Sequence, residues 1–273
     1  MQVQDNTHTR ELSSKAAMAG WAMLCVALLA ILGRILSYPL NRDENMFVSV
    51  ASQVGSGDLY RDLGYNHLPN LAYLLSGAFA LTGTEHYLLT GRLVVFAGWL
   101  VAIIAIWMIV RRLELGVEAF FVGSALLVGN VLLLGPSGML ATNNFLPLPF
   151  VLFAFFSLLG ALDSKKPRIV EAFLAGSLVS IAIGLKANYI ILAPAFVAAT
   201  LLAPASRSLR HRLVMAFVPL AVGGVVGGLP ALILLALDLE GSQAHTIRYF
   251  TELQTAYWAH EDAEKVVGVR GKV

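Results

Sequence analysis

Two adjacent carboxylates, Asp43 and Glu44, follow Asn41-Arg42 and open a stretch in which Phe47, Val50, Ala51 and Val54 recur at helical spacing. That pattern is an amphipathic helix, and Gly55-Ser56-Gly57 closes it. Lying on a membrane surface, the helix would hold both acids against the bilayer boundary. Acidic residues at such a start have two readings. They cap the helix and complement its dipole, with Asn41 and Glu44 at capping-box spacing. Alternatively, one of them takes a proton from a reacting hydroxyl. Spacing alone favours capping. Other chemistries lack their residues: the six histidines have no metal-ligand spacing, and there is no glycine-rich phosphate loop or G-x-S-x-G. The single cysteine, Cys25, lies in an apolar run, so no intrachain disulfide can form. Neither a metal nor a cofactor is called for.

The elements that must position these acids are set by composition. Over 273 residues, 58% are apolar and 13% charged, with a mean hydropathy of +0.74, well outside the soluble range. The net charge of +2 is too mild to argue for nucleic acid. Seven stretches are long and apolar enough to cross a bilayer: Ala16–Leu36, Tyr87–Val110, Val117–Leu134, Phe145–Leu162, Ile169–Leu185, Ala187–Ala203 and Leu213–Leu237. The first, preceded by Arg10 and Lys15, reads as a retained signal-anchor. Leu68–Thr82 is apolar but shorter, and suits a helix lying on the surface. If it does not span, Arg111-Arg112, Lys165-Lys166-Pro167-Arg168 and the Arg207 to Arg212 stretch all fall inside. If it spans, all of them fall outside, against the positive-inside rule.

The expected fold is therefore an all-α polytopic membrane protein of about seven spans with two extracytoplasmic juxtamembrane helices. Residues 1–15 form a cytoplasmic segment and residues 16–237 the membrane module. Its first external loop covers residues 37–86, and residues 238–273 form an external tail. Gly135–Asn144 and the Lys186 region are expected as short external turns. The Gly223 to Gly228 run reads as close helix packing. Gln243–Trp258 carries Ile247, Phe250, Leu253 and Trp258 at roughly helical spacing, an interfacial helix. Lys186 is the one basic residue in the short external turns after Arg92. It either snorkels to headgroups or is used.

Arg42-Asp43-Glu44, the short helix after it and Gly57-Asp58-Leu59-Tyr60-Arg61-Asp62 resemble the opening loop of the GT-C superfamily of glycosyltransferases. The chain is similar there to the dolichyl-phosphate-mannose–protein mannosyltransferase-like enzymes and to the aminoarabinose transferases. The resemblance continues through His67-Leu68-Pro69-Asn70, through Glu85 to Arg92, and through Gly184-Leu185-Lys186-Ala187-Asn188-Tyr189. It implies a polyprenyl-phosphate-linked sugar as donor and transfer to an acceptor glycan, lipid or protein. It also implies an active site on the extracytoplasmic side of a membrane, here a bacterial inner membrane, with membrane lipids as further partners. Asp43 would be the general base, with Glu44 assisting it or complementing the helix dipole.

Because the leaving group would be a lipid phosphate, cations should stabilise its charge. The candidates are Lys186, Arg92 and Arg61, although Arg92 could equally anchor its span and Arg61 could be a solvated loop charge. Tyr60 and His67 are candidate sugar contacts, with an interfacial aromatic and a solvated histidine as their plainer readings. Relatives place an aspartate where this chain has Asn143 and Asn144. Asparagine can hydrogen-bond sugar hydroxyls but is no base, which shifts the load to Asp43. The implied identity is the N-terminal module of a longer transferase. Its rivals are a lipid-binding assembly subunit and a transporter of lipid-linked sugars. The transporter is disfavoured because ionisable residues are nearly absent within the later spans.

Overall fold

The computed structural model describes residues 3–163, 168–203 and 208–259. It is all-helical, with no strand among the described residues. In chain order the helices are α1 (Val3–Ser37), α2 (Arg42–Ser52), α3 (Asn70–Thr82), α4 (Tyr87–Arg112), α5 (Val117–Val128), α6 (Pro136–Met139), α7 (Pro147–Ala161) and α8 (Ile169–Leu185). A 3-10 turn at Ala187–Ile191 leads into α9 (Leu192–Leu202). Then come α10 (Leu209–Arg212), a π turn at Leu213–Phe217, α11 (Val218–Leu237), α12 (Leu239–Gln243), a π-helical stretch Ala244–Leu253 and α13 (Gln254–Ala259).

Among the described residues, three helical segments are long and apolar enough to cross a membrane: Lys15–Ser37, Tyr87–Arg112 and Leu209–Leu237. The remaining apolar helices are shorter than these three; α8 has the bounds expected of it, Ile169–Leu185, and others end early for reasons written in the sequence. Val117–Leu134 was expected to cross, but α5 stops at Val128 after 12 residues, about 18 Å of helix. Gly129-Asn130 interrupts it, and Asn130 Oδ1 accepts from the Leu132 and Leu133 N–H groups, turning the chain instead. In the Ala187–Ala203 stretch Pro194 has no N–H to donate, so the α-helix begins only at Leu192.

The Gly135–Asn144 region is not the simple turn expected. It folds into the bundle around α6, with Met139, Leu140, Ala141 and Thr142 buried. Trp99 of α4 donates from Nε1 to the Gly138 carbonyl at 2.9 Å and stacks on Phe145 at 4.5 Å. An apolar sequence with two glycines and a proline is thereby held by its neighbours rather than by helical bonds of its own.

The glycine run does what its spacing suggested. Gly223 and Gly227 of α11 lie against the backbone of Phe173 and Ser177 on α8, and Gly176 lies against Leu220. Ser177 Oγ donates to the Gly223 carbonyl at 3.0 Å. A Cβ at any of these three glycines would overlap main-chain atoms. This packing joins α11 to α8, and α7 packs on α8 and α4, so the later helices become one support for the loop that carries Asp43. On the side bearing Arg111-Arg112, Arg112 closes a pair with Glu171 at 2.6 Å and lies over the Phe156 ring. Lys165, Lys166, Pro167 and Arg207, which carried part of the charge argument, lie outside the described residues.

Candidate active site

The expected helix after Arg42 is α2. Asn41 caps it through Oδ1, which accepts from the Asp43 N–H at 2.8 Å, so half of the capping reading holds. Phe47, Val48, Val50 and Ala51 are buried against α3 and α4. Gly55, at φ 95°, takes the left-handed turn that follows. Successive helical residues point about 100° apart, and this separates the two acids. Asp43 is exposed, while Glu44 has no solvent exposure.

Glu44 meets Arg92 in a two-pronged ion pair, Nε–Oε1 at 3.0 Å and Nη2–Oε2 at 2.7 Å. The Ala141 N–H donates to the same Oε1 at 2.9 Å, and Arg92 Nη1 donates to the Leu36 carbonyl at 3.2 Å. Four segments meet in this network: the end of α1, the start of α2, the first turns of α4 and the buried strand of chain after α6. The expected roles were assistance to catalysis for Glu44 and phosphate binding for Arg92. The geometry instead commits both to each other, with side-chain exposures of 0% and 7%, and neither is free to meet a substrate in this arrangement. A fork-shaped guanidinium and a carboxylate with every oxygen satisfied is the form a buried pair needs to be tolerated.

Around the exposed Asp43 the loop supplies His67, whose ring stacks on Phe47 at 4.9 Å and lies edge-on to Tyr65 at 5.8 Å. Burial lowers the His67 pKa from its ordinary 6.5; the Asp43 charge pulls it up and the Lys186 charge pushes it further down. All three groups thus share one electrostatic neighbourhood. Tyr60 is buried and donates to the His67 carbonyl at 3.2 Å. It therefore shapes the loop from beneath, and burial raises its pKa. Tyr65 is equally buried.

Lys186 comes from a distant part of the chain. It sits where α8 ends, in extended backbone (φ −152°), and donates from Nζ to Asn144 Oδ1 at 2.5 Å. Burial lowers its pKa from the ordinary 10.5. Asn144 Nδ2 in turn reaches Thr142 Oγ1 at 3.1 Å, and Asn143 is buried beside it. The two asparagines therefore orient the lysine's surroundings. The turn is tied to the loop because Asn70 Nδ2 donates to the Ile181 carbonyl at 3.3 Å, packing against Gly184.

The structure thus brings Asp43, His67, Lys186 and Asn144 to one end of the bundle, and places Glu44 and Arg92 below them as support. Arg61, expected near the phosphate, pairs with Asp238 at 3.1 Å. Sequence placed Phe250 only in an amphipathic interfacial stretch and gave Asp238 no role, whereas the Phe250 ring lies 5.8 Å from His67. The available signal was a lone acid closing the last span, followed by an aromatic two turns into an amphipathic stretch. No His/Cys/Asp/Glu cluster that could hold a metal occurs among the described residues. The arrangement offers an exposed carboxylate and a half-buried lysine around the His67 ring, which itself packs on Phe47 and Tyr65.

No curated protein and no solved structure matches the chain. A family profile does match, over residues 66–233. That span contains His67, Arg92, Asn143, Asn144 and Lys186 and begins after Asp43. It covers more than half of an all-helical chain with segments long and apolar enough to cross a membrane, so the chain belongs to the dolichyl-phosphate-mannose-protein mannosyltransferase family, membrane glycosyltransferases of the GT-C type.

Proposed function

We propose that this chain transfers a sugar from a polyprenyl-phosphate donor to an acceptor hydroxyl on the extracytoplasmic face of a membrane, with Asp43 as general base. The observation carrying this reading is that the exposed carboxylate at the start of α2 and the half-buried Lys186, held by Asn144, both act on the His67 ring. In the step, the acceptor oxygen attacks the anomeric carbon and its proton passes to Asp43. The bond from that carbon to the phosphate oxygen breaks, and polyprenyl phosphate leaves. Attack opposite the leaving group inverts the anomeric centre. Lys186, held by Asn144, meets the negative charge that develops on the departing phosphate; a cation placed in a poorly solvated site is effective there. Asn144, Asn143 and His67 supply hydrogen-bonding groups for sugar hydroxyls.

The same reading places the shorter apolar helices as further crossings, giving about seven spans with α2 and α3 on the outer face. Arg111, Arg112, Arg210 and Arg212 then lie inside. The test is transfer by the chain in lipid vesicles. Radiolabelled polyprenyl-phosphate sugars should serve as donors and nucleotide sugars should not. Transfer from a nucleotide sugar, or from neither class, would overturn the donor assignment, and failure with both would favour a binding subunit.

A further inference from the structure

The chain that follows α11 turns back toward the candidate site and is fastened there. Asp238 ends the helix (φ −132°, ψ 72°) and caps the next one, its Oδ1 accepting from the Gly241 N–H at 3.2 Å. The same oxygen meets Arg61 Nη2 at 3.1 Å, joining two positions 177 residues apart. Asp238 is 10% exposed in this pair and Arg61 65%, so the carboxylate is the buried anchor and the arginine reaches over to it. Ser242 Oγ donates to the Leu235 carbonyl at 2.9 Å, locking the bend. Three turns on, Phe250 lies 5.8 Å from the His67 ring at an interplanar angle of 44°. Phe250 remains 38% exposed, so part of its ring is uncommitted beside the cluster. This segment lies beyond the residues that match the family profile.

We propose that residues 238–250 form the outer wall of the transfer site. Phe250 is the surface on which the transferred sugar packs, and the Arg61–Asp238 pair is the fastening that keeps the wall closed against water. The proposal rests on the reading that Asp43, His67 and Lys186 form a sugar-transfer centre. The physical case is that transfer to an acceptor hydroxyl competes with transfer to water, so a site of this kind needs its open side covered. An aromatic ring beside polar groups is the usual lining of a small-molecule site. A single partly exposed ion pair is weak enough to open for substrate.

The full chain in lipid vesicles tests this with two readouts: hydrogen exchange of residues 238–250, and the ratio of free sugar to transferred sugar. Arg61→Glu should accelerate exchange across the segment and raise the free-sugar ratio about tenfold, while Arg61→Lys, which keeps the charge opposite Asp238, should stay near wild type in both. Phe250→Ala should raise the donor KM about tenfold with kcat within about twofold, while Phe250→Tyr stays near wild type. Exchange unchanged in Arg61→Glu would overturn the fastening, and faster exchange with an unchanged ratio would overturn the wall. A wild type that transfers nothing removes the reading of function itself. A wild type that transfers while Arg61→Glu and Phe250→Ala match it removes only the wall.

Discussion

Asp43 and Glu44 sit one position apart, yet the start of α2 sends one into solvent and the other into a buried pair with Arg92. Substitution should separate them. Glu44→Gln strands the Arg92 guanidinium without a counter-charge, and the thermal unfolding midpoint in detergent should fall by the equivalent of about 3–5 kcal/mol. Asp43→Asn should leave that midpoint within about 0.5 kcal/mol of wild type. Lys186 and His67 add pH dependence of opposite ends. Burial lowers the Lys186 pKa from 10.5, so the ammonium is lost earlier on the alkaline side. Transfer should decline at a pH below 10.5, and in Lys186→Arg that decline should move to higher pH. The His67 pKa is lowered from 6.5, so the unfolded chain binds the proton more readily than the folded one. Stability is then intact above 6.5 and lost as pH falls through the depressed value. The unfolding midpoint should drop as the pH falls below 6.5, and His67→Gln should blunt the drop. Sequence marks Asp43, Lys186 and His67 as candidates through residue type and sidedness. It could not show that Glu44 belongs to Arg92, 48 positions away, because nothing local records which carboxylate a distant arginine meets.

At the scale of elements, the contact of α8 with α11 supports everything above it. Gly223→Ala would drive a methyl group into the Phe173 main chain, whereas at Gly224 the nearest atom is Ser180 Oγ at 3.5 Å. Gly223→Ala should therefore cost about 1–3 kcal/mol in detergent unfolding and Gly224→Ala almost nothing. Equal costs would mean the helices do not pack on this face. The glycine spacing was readable because close helix approach needs small residues at that period. The α2 helix was readable from its apolar face. The end of α5 and the buried stretch around α6 were not read, although Gly129-Asn130 and Gly135-Pro136 stand at those places. Uniform hydrophobicity hid them: an apolar run looks the same whether it crosses a bilayer as helix or is held by Trp99 and Phe145 inside a bundle.

For the whole molecule, the proposed crossings set which side each loop occupies. In a Cys25→Ser background, Ser56→Cys should react with an impermeant maleimide added outside, and Ser208→Cys only after the membrane is opened. External reaction at Ser208→Cys would mean that α3 crosses after all and that the positive charges lie outside. The fold class and the membrane setting were legible because composition fixes both. The number of crossings depends on helix ends, which turn chemistry and neighbouring side chains decide. The proposed transfer depends on one proton acceptor at the rim of this bundle. Its most direct test is the rate of sugar transfer from a polyprenyl-phosphate donor by Asp43→Asn beside wild type, both shown to be folded and to bind donor equally. The rate should fall by about 10²–10⁴-fold with donor binding retained; transfer by Asp43→Asn at the wild-type rate would contradict the role of Asp43 as base.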